Sequence, residues 1–170
     1  MAELYPGRTN QALALVRFGL HDIQLACDTQ DWSRNLRLRA ACEATLAHLL
    51  SSYRAYLFEI AEQHRLQTVG VVTAASLSEQ LAVTGQATAE LIELETLLSE
   101  RESWLNLMLS AAEAIHKPTL AQSGEESASE INLVNTTQKS LEERLQADLP
   151  NWYQALQELI NRHRETNQEW

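Results

Sequence analysis

Apolar residues three and four positions apart recur along most of the chain. Leu13, Val16, Leu20, Ile23 and Cys27 form the first such series, with Arg17, His21, Asp22 and Gln24 between them. That spacing gathers the apolar side chains into one stripe of an α-helix. Thr9 or Asn10 is the expected N-cap, because a short side-chain oxygen can accept from an unpaired first-turn amide. "CDTQDWS" breaks the pattern, and a second series starts near Asp31 or Ser33 with Leu38, Cys42, Thr45, Leu49, Tyr56 and Ile60 on one stripe. A helix of about thirty residues spans roughly 45 Å. It is the expected long central element.

"LQTVGVVTAA" is rich in β-branched residues but short and isolated, so it reads as a connector rather than a strand. Ser76 and Glu79 fit a capping box for a short helix through about Val83, which Gly85 ends. Ala87, Leu91, Leu94 and Leu98 share the next face. Ser99 with Glu102 reads as a second capping box, ahead of Trp104, Leu105, Met108, Ala112 and Ile115. Lys117 and Pro118 close that helix, and residues 119–137 read as an exposed acidic loop. The last series is Leu141, Leu145, Leu149, Trp152, Leu156, Leu159 and His163. Pro150 interrupts it, so either one helix kinks there or a fresh helix begins with Asp148 as its cap, and the restart is the favoured reading.

The pattern predicts an all-α fold: an antiparallel helical bundle of five to six helices in one domain over residues 1–170, with Leu49 and Trp104 central in the core. Composition narrows this further. Five Gly and three Pro in 170 residues are too few for the turns of a β-sandwich. Both cysteines, Cys27 and Cys42, fall at apolar helical positions, as reduced core thiols of a cytoplasmic protein would. No leader-like start and no membrane-length apolar run is visible, so a cytoplasmic location without membrane partners is expected. The net charge is −10, and residues 66–170 carry six Lys/Arg against sixteen Asp/Glu. No nucleic-acid partner is expected of such a surface.

Candidate chemistry is sparse. "EAIHKP" places Glu113 and His116 at the ligand spacing of carboxylate-bridged di-metal bundles, but those need a second Glu-x-x-His and two further Glu. Glu43 and His48, like Glu158 and His163, are five apart and diverge by about 140° on a helix. No metal or cofactor is expected. Nucleotide-binding glycine motifs and the nucleophile elbow are absent, and neither Arg17 and His21, Arg39 and His48, nor Arg54 and His64 matches the Arg-x4–6-His spacing of helical ribonucleases. His21, His48, His64 and His163 read as boundary or surface residues. Tyr53, Arg54, Tyr56 and Phe58 lie beside Glu59 and Glu62, which favours a packing edge over base stacking. One anion site is conceivable: Arg34 and Arg37 share a face at the start of the second helix, with Asp28 and Asp31 as competing local partners.

Four segments, "ELYPGRTNQ" (Glu3 to Gln11), "RAACEATLAHL" (Arg39 to Leu49), "ESWLNLMLSAAEAIHKP" (Glu102 to Pro118) and "WYQALQELINRHRE" (Trp152 to Glu165), give the chain its likeness to known sequences. It resembles a family of short, functionally uncharacterised gammaproteobacterial proteins. The resemblance implies an all-helical fold and transfers no catalytic residue. The function expected is therefore a protein-interaction or scaffold module, bound to a protein partner or forming a homodimer, more in keeping with a non-enzyme. The alternative is a small-molecule or phosphoanion-binding protein, or a minor enzyme, using Arg and His near helix ends, with Arg34 and Arg37 as the anion-site candidates.

Overall fold

The computed structural model describes residues 4–70, 72–83, 85–115 and 141–168, and the regular structure among them is helical throughout. Six helices follow in order: α1 (Leu4–Asp28), α2 (Arg34–Gln63), α3 (Ala74–Val83), α4 (Ala89–Ser99), α5 (Trp104–Ile115) and α6 (Leu141–Gln168). His116, Lys117, Pro118 and the acidic stretch 119–137 lie outside the described residues.

Helix boundaries depart from the sequence reading where the cap comes from afar. Helix α1 begins at Leu4, upstream of Thr9 and Asn10, and takes Pro6 into its first turn, where a missing amide costs little. Its first amides are satisfied by Glu62 at the far end of α2, which accepts from Leu4 at 3.4 Å and Tyr5 at 3.3 Å. Thr9 is instead buried and donates to the Tyr5 carbonyl at 3.0 Å. The caps of α3 and α5 shift by a few residues. Thr73 and Ser76 bond reciprocally, each amide to the other's hydroxyl at 2.9 and 3.0 Å, and Ser103 rather than Ser99 accepts from the Asn106 amide at 3.1 Å. Gly85, with φ +70°, ends α3 as its position predicts, its amide closing onto Ala82 at 3.0 Å.

Pro150 does not start a new helix. Helix α6 passes through it unbroken, with Asp148 inside it. Proline removes one amide from the ladder, but Leu145, Leu149, Trp152, Leu156, Leu159 and Ile160 are all buried on both sides of it. Continuous burial outweighs one lost hydrogen bond.

The core draws on all six helices, and Leu49 sits fully inside it. Trp104 does not; it is half-buried against the edge of the cluster. Helix α2 is the hub, packing against α1, α5 and α6. The short turn after α1 makes α1 and α2 antiparallel. Helix α6 also opposes α1, since Gln146 meets Cys27 at one end and Arg164 meets Asn10 at the other. Consequently α6 runs alongside α2 in the same direction, and the α3–α5 segment provides the return path such a parallel pair requires. The Gln67 and Gln80 backbone and side-chain groups pin the connector to α3 by hydrogen bonds of 2.8 and 3.1 Å.

Close approach of α1 to α2 is set by Gly19, which is buried with only hydrogen facing Thr45. A Cβ at Gly19 would stand 3.2 Å from the Thr45 Cα, and backbone cannot yield as a flexible side chain can. Gly19→Ala should therefore cost about 1–3 kcal/mol by forcing the two helices apart, despite alanine's better helix propensity. Urea unfolding measures this, and a Gly19→Ala protein as stable as wild type would contradict the packing described.

Candidate functional site

Polar side chains concentrate where the start of α1 meets the ends of α2 and α6 and the start of α4. Tyr56 and His163 are buried, and the Tyr56 hydroxyl lies 2.5 Å from His163 Nδ1. Burial, then the charges of Glu90 and Glu59, push the Tyr56 phenol far above its ordinary range, so it keeps its proton and stays neutral beside the ring. The opposite ring nitrogen, Nε2, lies 2.8 Å from Glu93 Oε2 and donates to it, and Arg162 also pairs with Glu93. A three-member chain thus links α2, α6 and α4.

Beside it, Arg164 grips Glu59 through two bonds, Nε to Oε1 at 2.6 Å and Nη2 to Oε2 at 2.8 Å. Its Nη1 donates to Asn10 Oδ1 at 2.8 Å, which ties in α1. The bond to Glu59 holds the Arg164 guanidinium more firmly charged than usual. Glu59 is buried, so its charge is compensated by this fork and not by water. Tyr5 stacks on Phe58 with ring centroids 5.3 Å apart, and His64 Nε2 stands 3.9 Å from Glu90 Oε1.

A general base must reach a substrate proton. His163 is only 6% exposed, and both ring nitrogens are engaged within the protein. The cluster is consequently built to join helices. The sequence placed His163 on the apolar stripe of α6 but not its partners, because Tyr56 and Glu93 lie 107 and 70 residues away.

The other sequence candidates are scattered. Arg34 and Arg37 are exposed at the start of α2; Arg34 Nε donates to the Cys27 carbonyl at 3.2 Å and Arg37 Nε to Ser33 Oγ at 2.7 Å. Asp31 stands in the same turn, its carboxyl held below the usual range by hydrogen bonds from Ser33 and then by the Arg37 charge. Glu113 is exposed near the end of α5, and its partner His116 falls outside the described residues. Among the described residues no group of three or more His, Cys, Asp or Glu is arranged to hold a metal ion. Cys27 and Cys42 are both free thiols. Burial, with Cys27 nearby, pushes Cys42 up to about 11 and leaves it protonated at neutral pH. Cys27 lines a groove of about 530 Å³ between α1 and α6, where Gln146 Nε2 donates to its sulfur at 3.1 Å.

One surface was missed by reading only the buried stripe. Leu4, Leu15, Phe18 and Leu25 project outward from α1, with Phe18 69% exposed, and Trp32 in the following turn and Leu36 on α2 are exposed as well, Trp32 at 92%. The signal was present in the sequence as a second set of apolar positions in α1, offset from the core set. Among the described residues no helix is long and apolar enough to cross a membrane.

If the Tyr56–His163 contact joins helices as described, Tyr56→Phe should cost about 1–3 kcal/mol by orphaning a buried ring nitrogen. His163→Leu should lose less in the Tyr56→Phe background than in wild type, with a coupling of about 1 kcal/mol or more in a double-mutant cycle of urea unfolding. Strict additivity of the two losses would show that the groups do not interact.

Comparison with curated proteins and with solved structures finds no match. A family model described as a family of unknown function matches residues 1–170. The match spans the whole of the sequence, and the chain belongs to that family, DUF6586.

Proposed function

We propose that the protein is a helical interaction module whose working surface is the outer face of α1. The observation that carries this reading is the row Leu4, Leu15, Phe18 and Leu25, apolar and exposed on a helix whose opposite face, Leu13, Val16 and Ile23, is already committed to the core. A helix that needs only to pack inward gains nothing from large apolar groups outside. Leu15, Phe18 and Leu25 gather within about three turns of one face, and exposed apolar clusters rimmed by polar residues mark surfaces that bind other proteins. The engaged state of His163, Glu93, Glu59 and Arg164 supports the same reading, because the best-placed acid, base and cation of the interior are consumed by each other. The cytoplasm is the proposed compartment, supported by two unpaired thiols. An anion site at Arg34 and Arg37 is the alternative proposal, and there Asp31 competes directly.

A photo-crosslinking residue in place of Phe18 tests the reading in cells that make the protein. It should give a covalent protein adduct of defined mass that Leu15→Asp and Leu25→Asp suppress, while the same probe at the exposed Asn161 on α6 gives none. No adduct at position 18, or equal adducts at both positions, would contradict it.

A further inference from the structure

The outer face of α1 carries opposite charges at equal distances from Leu15, Arg8 on one side and Asp22 on the other. Among its exposed residues, Leu4, Arg8, Gln11, Leu15, Phe18, Asp22 and Leu25 share one face at a spacing of four and three. Two helices pair along a face of that spacing, and four of its seven positions are apolar here. It divides into two rows. One row is Arg8, Leu15, Asp22, and the other is Leu4, Gln11, Phe18, Leu25.

We propose that the partner of this face is a second copy of the same chain, with the two α1 helices paired antiparallel about a two-fold axis near Leu15. The proposal rests on the interaction-module reading above and names its occupant. The argument is charge complementarity within one helix. When the first row is turned end for end about Leu15, Arg8 comes beside Asp22 of the partner, Leu15 beside Leu15 of the partner, and Asp22 beside Arg8 of the partner. The second row, turned about the same axis, brings Leu4 within one residue's rise of Leu25 of the partner at both ends and sets Phe18 near Gln11 of the partner. A two-fold axis perpendicular to both helices keeps each row on its own side, so these pairs do face each other. A parallel pairing would instead put Arg8 beside Arg8 of the partner and Asp22 beside Asp22 of the partner, two repulsions in place of two attractions. Isologous contact of this sort closes on itself, and a dimer rather than a filament results.

Both charged residues are exposed and distant from the core, so exchanging them leaves the fold intact. Arg8 donates to Gln11 within its own helix at 3.0 Å, a local bond on the surface that a neighbouring carboxylate readily replaces.

The test is a charge exchange read by sedimentation velocity over a concentration series at low salt. Wild type should be a dimer. Arg8→Asp alone places two carboxylates together at each end, and Asp22→Arg alone places two guanidinium groups there; each should weaken dimerisation tenfold or more. The double variant Arg8→Asp/Asp22→Arg restores opposite charges and should recover wild-type affinity. Unchanged circular dichroism in all three confirms that folding is not the cause. A monomeric wild type at about 100 µM overturns the proposal, as does a dimer indifferent to the single changes or not rescued by the double one. The crosslink at position 18 separates the two readings: an adduct with a different protein keeps the interaction module and removes the self-partner, whereas no adduct removes both.

Discussion

Glu59 cannot be buried without Arg164. A carboxylate taken out of water costs several kcal/mol unless a cation and further donors replace the lost hydration. Arg164 supplies both, with two bonds to Glu59 and one to Asn10. Because these residues lie on α2, α6 and α1, satisfying one charge fixes the ends of all three long helices against each other. The Tyr56–His163–Glu93 chain extends the same constraint to α4. At the other end of α1 and α6 the contacts are looser, with an amide on the Cys27 sulfur and a groove alongside. The bundle is thus held by apolar burial along its length and by polar geometry at one end.

The same constraint shapes what is left for function. His163, which the sequence reading set among boundary and surface residues, is spent on joining helices with Tyr56 and Glu93. What remains available lies on the surface, and its most distinctive part is apolar. Gly19 lets α1 lie so close to α2 that α1's core side is fully used, while Leu15, Phe18 and Leu25 stay outside. A close-packed inner face and an apolar outer face on one helix are jointly intelligible if α1 is the layer between the core and a partner.

Much of the fold was legible because helical periodicity is a local signal. The buried faces of α1, α2, α5 and α6 are the stripes that spacing alone picks out, and Gly85 stops α3 as glycine does at a helix end. Errors fell where a long-range contact overrides a local one. Glu62 caps α1 from 57 residues away, so Thr9 and Asn10 looked like the start. Burial on both sides of Pro150 carries α6 through a residue that, read locally, restarts it. Trp104 looked central because an apolar stripe does not tell the middle of a core from its margin. The polar cluster was illegible for the same reason, since its members become neighbours only once α6 returns beside α2. The outer face of α1 was legible in principle, and attention to one stripe per helix concealed it.

Antiparallel pairing of α1 makes a geometric claim that distances between spin labels test most directly. In a Cys27→Ser background the remaining thiol, Cys42, is buried and unreactive, so labels can be placed at Arg17 or at Asp28, both exposed and off the paired face. Arg17 lies near the two-fold axis, and its label should sit close to its copy, within about 30 Å once side-chain reach is included. Asp28 lies thirteen residues from Leu15, so antiparallel helices separate its two copies by roughly 39 Å along the axis, at 1.5 Å per residue. A short distance at Arg17 with a long one at Asp28 is the predicted result. Equal short distances at both positions, or no intermolecular coupling at either, would contradict the account.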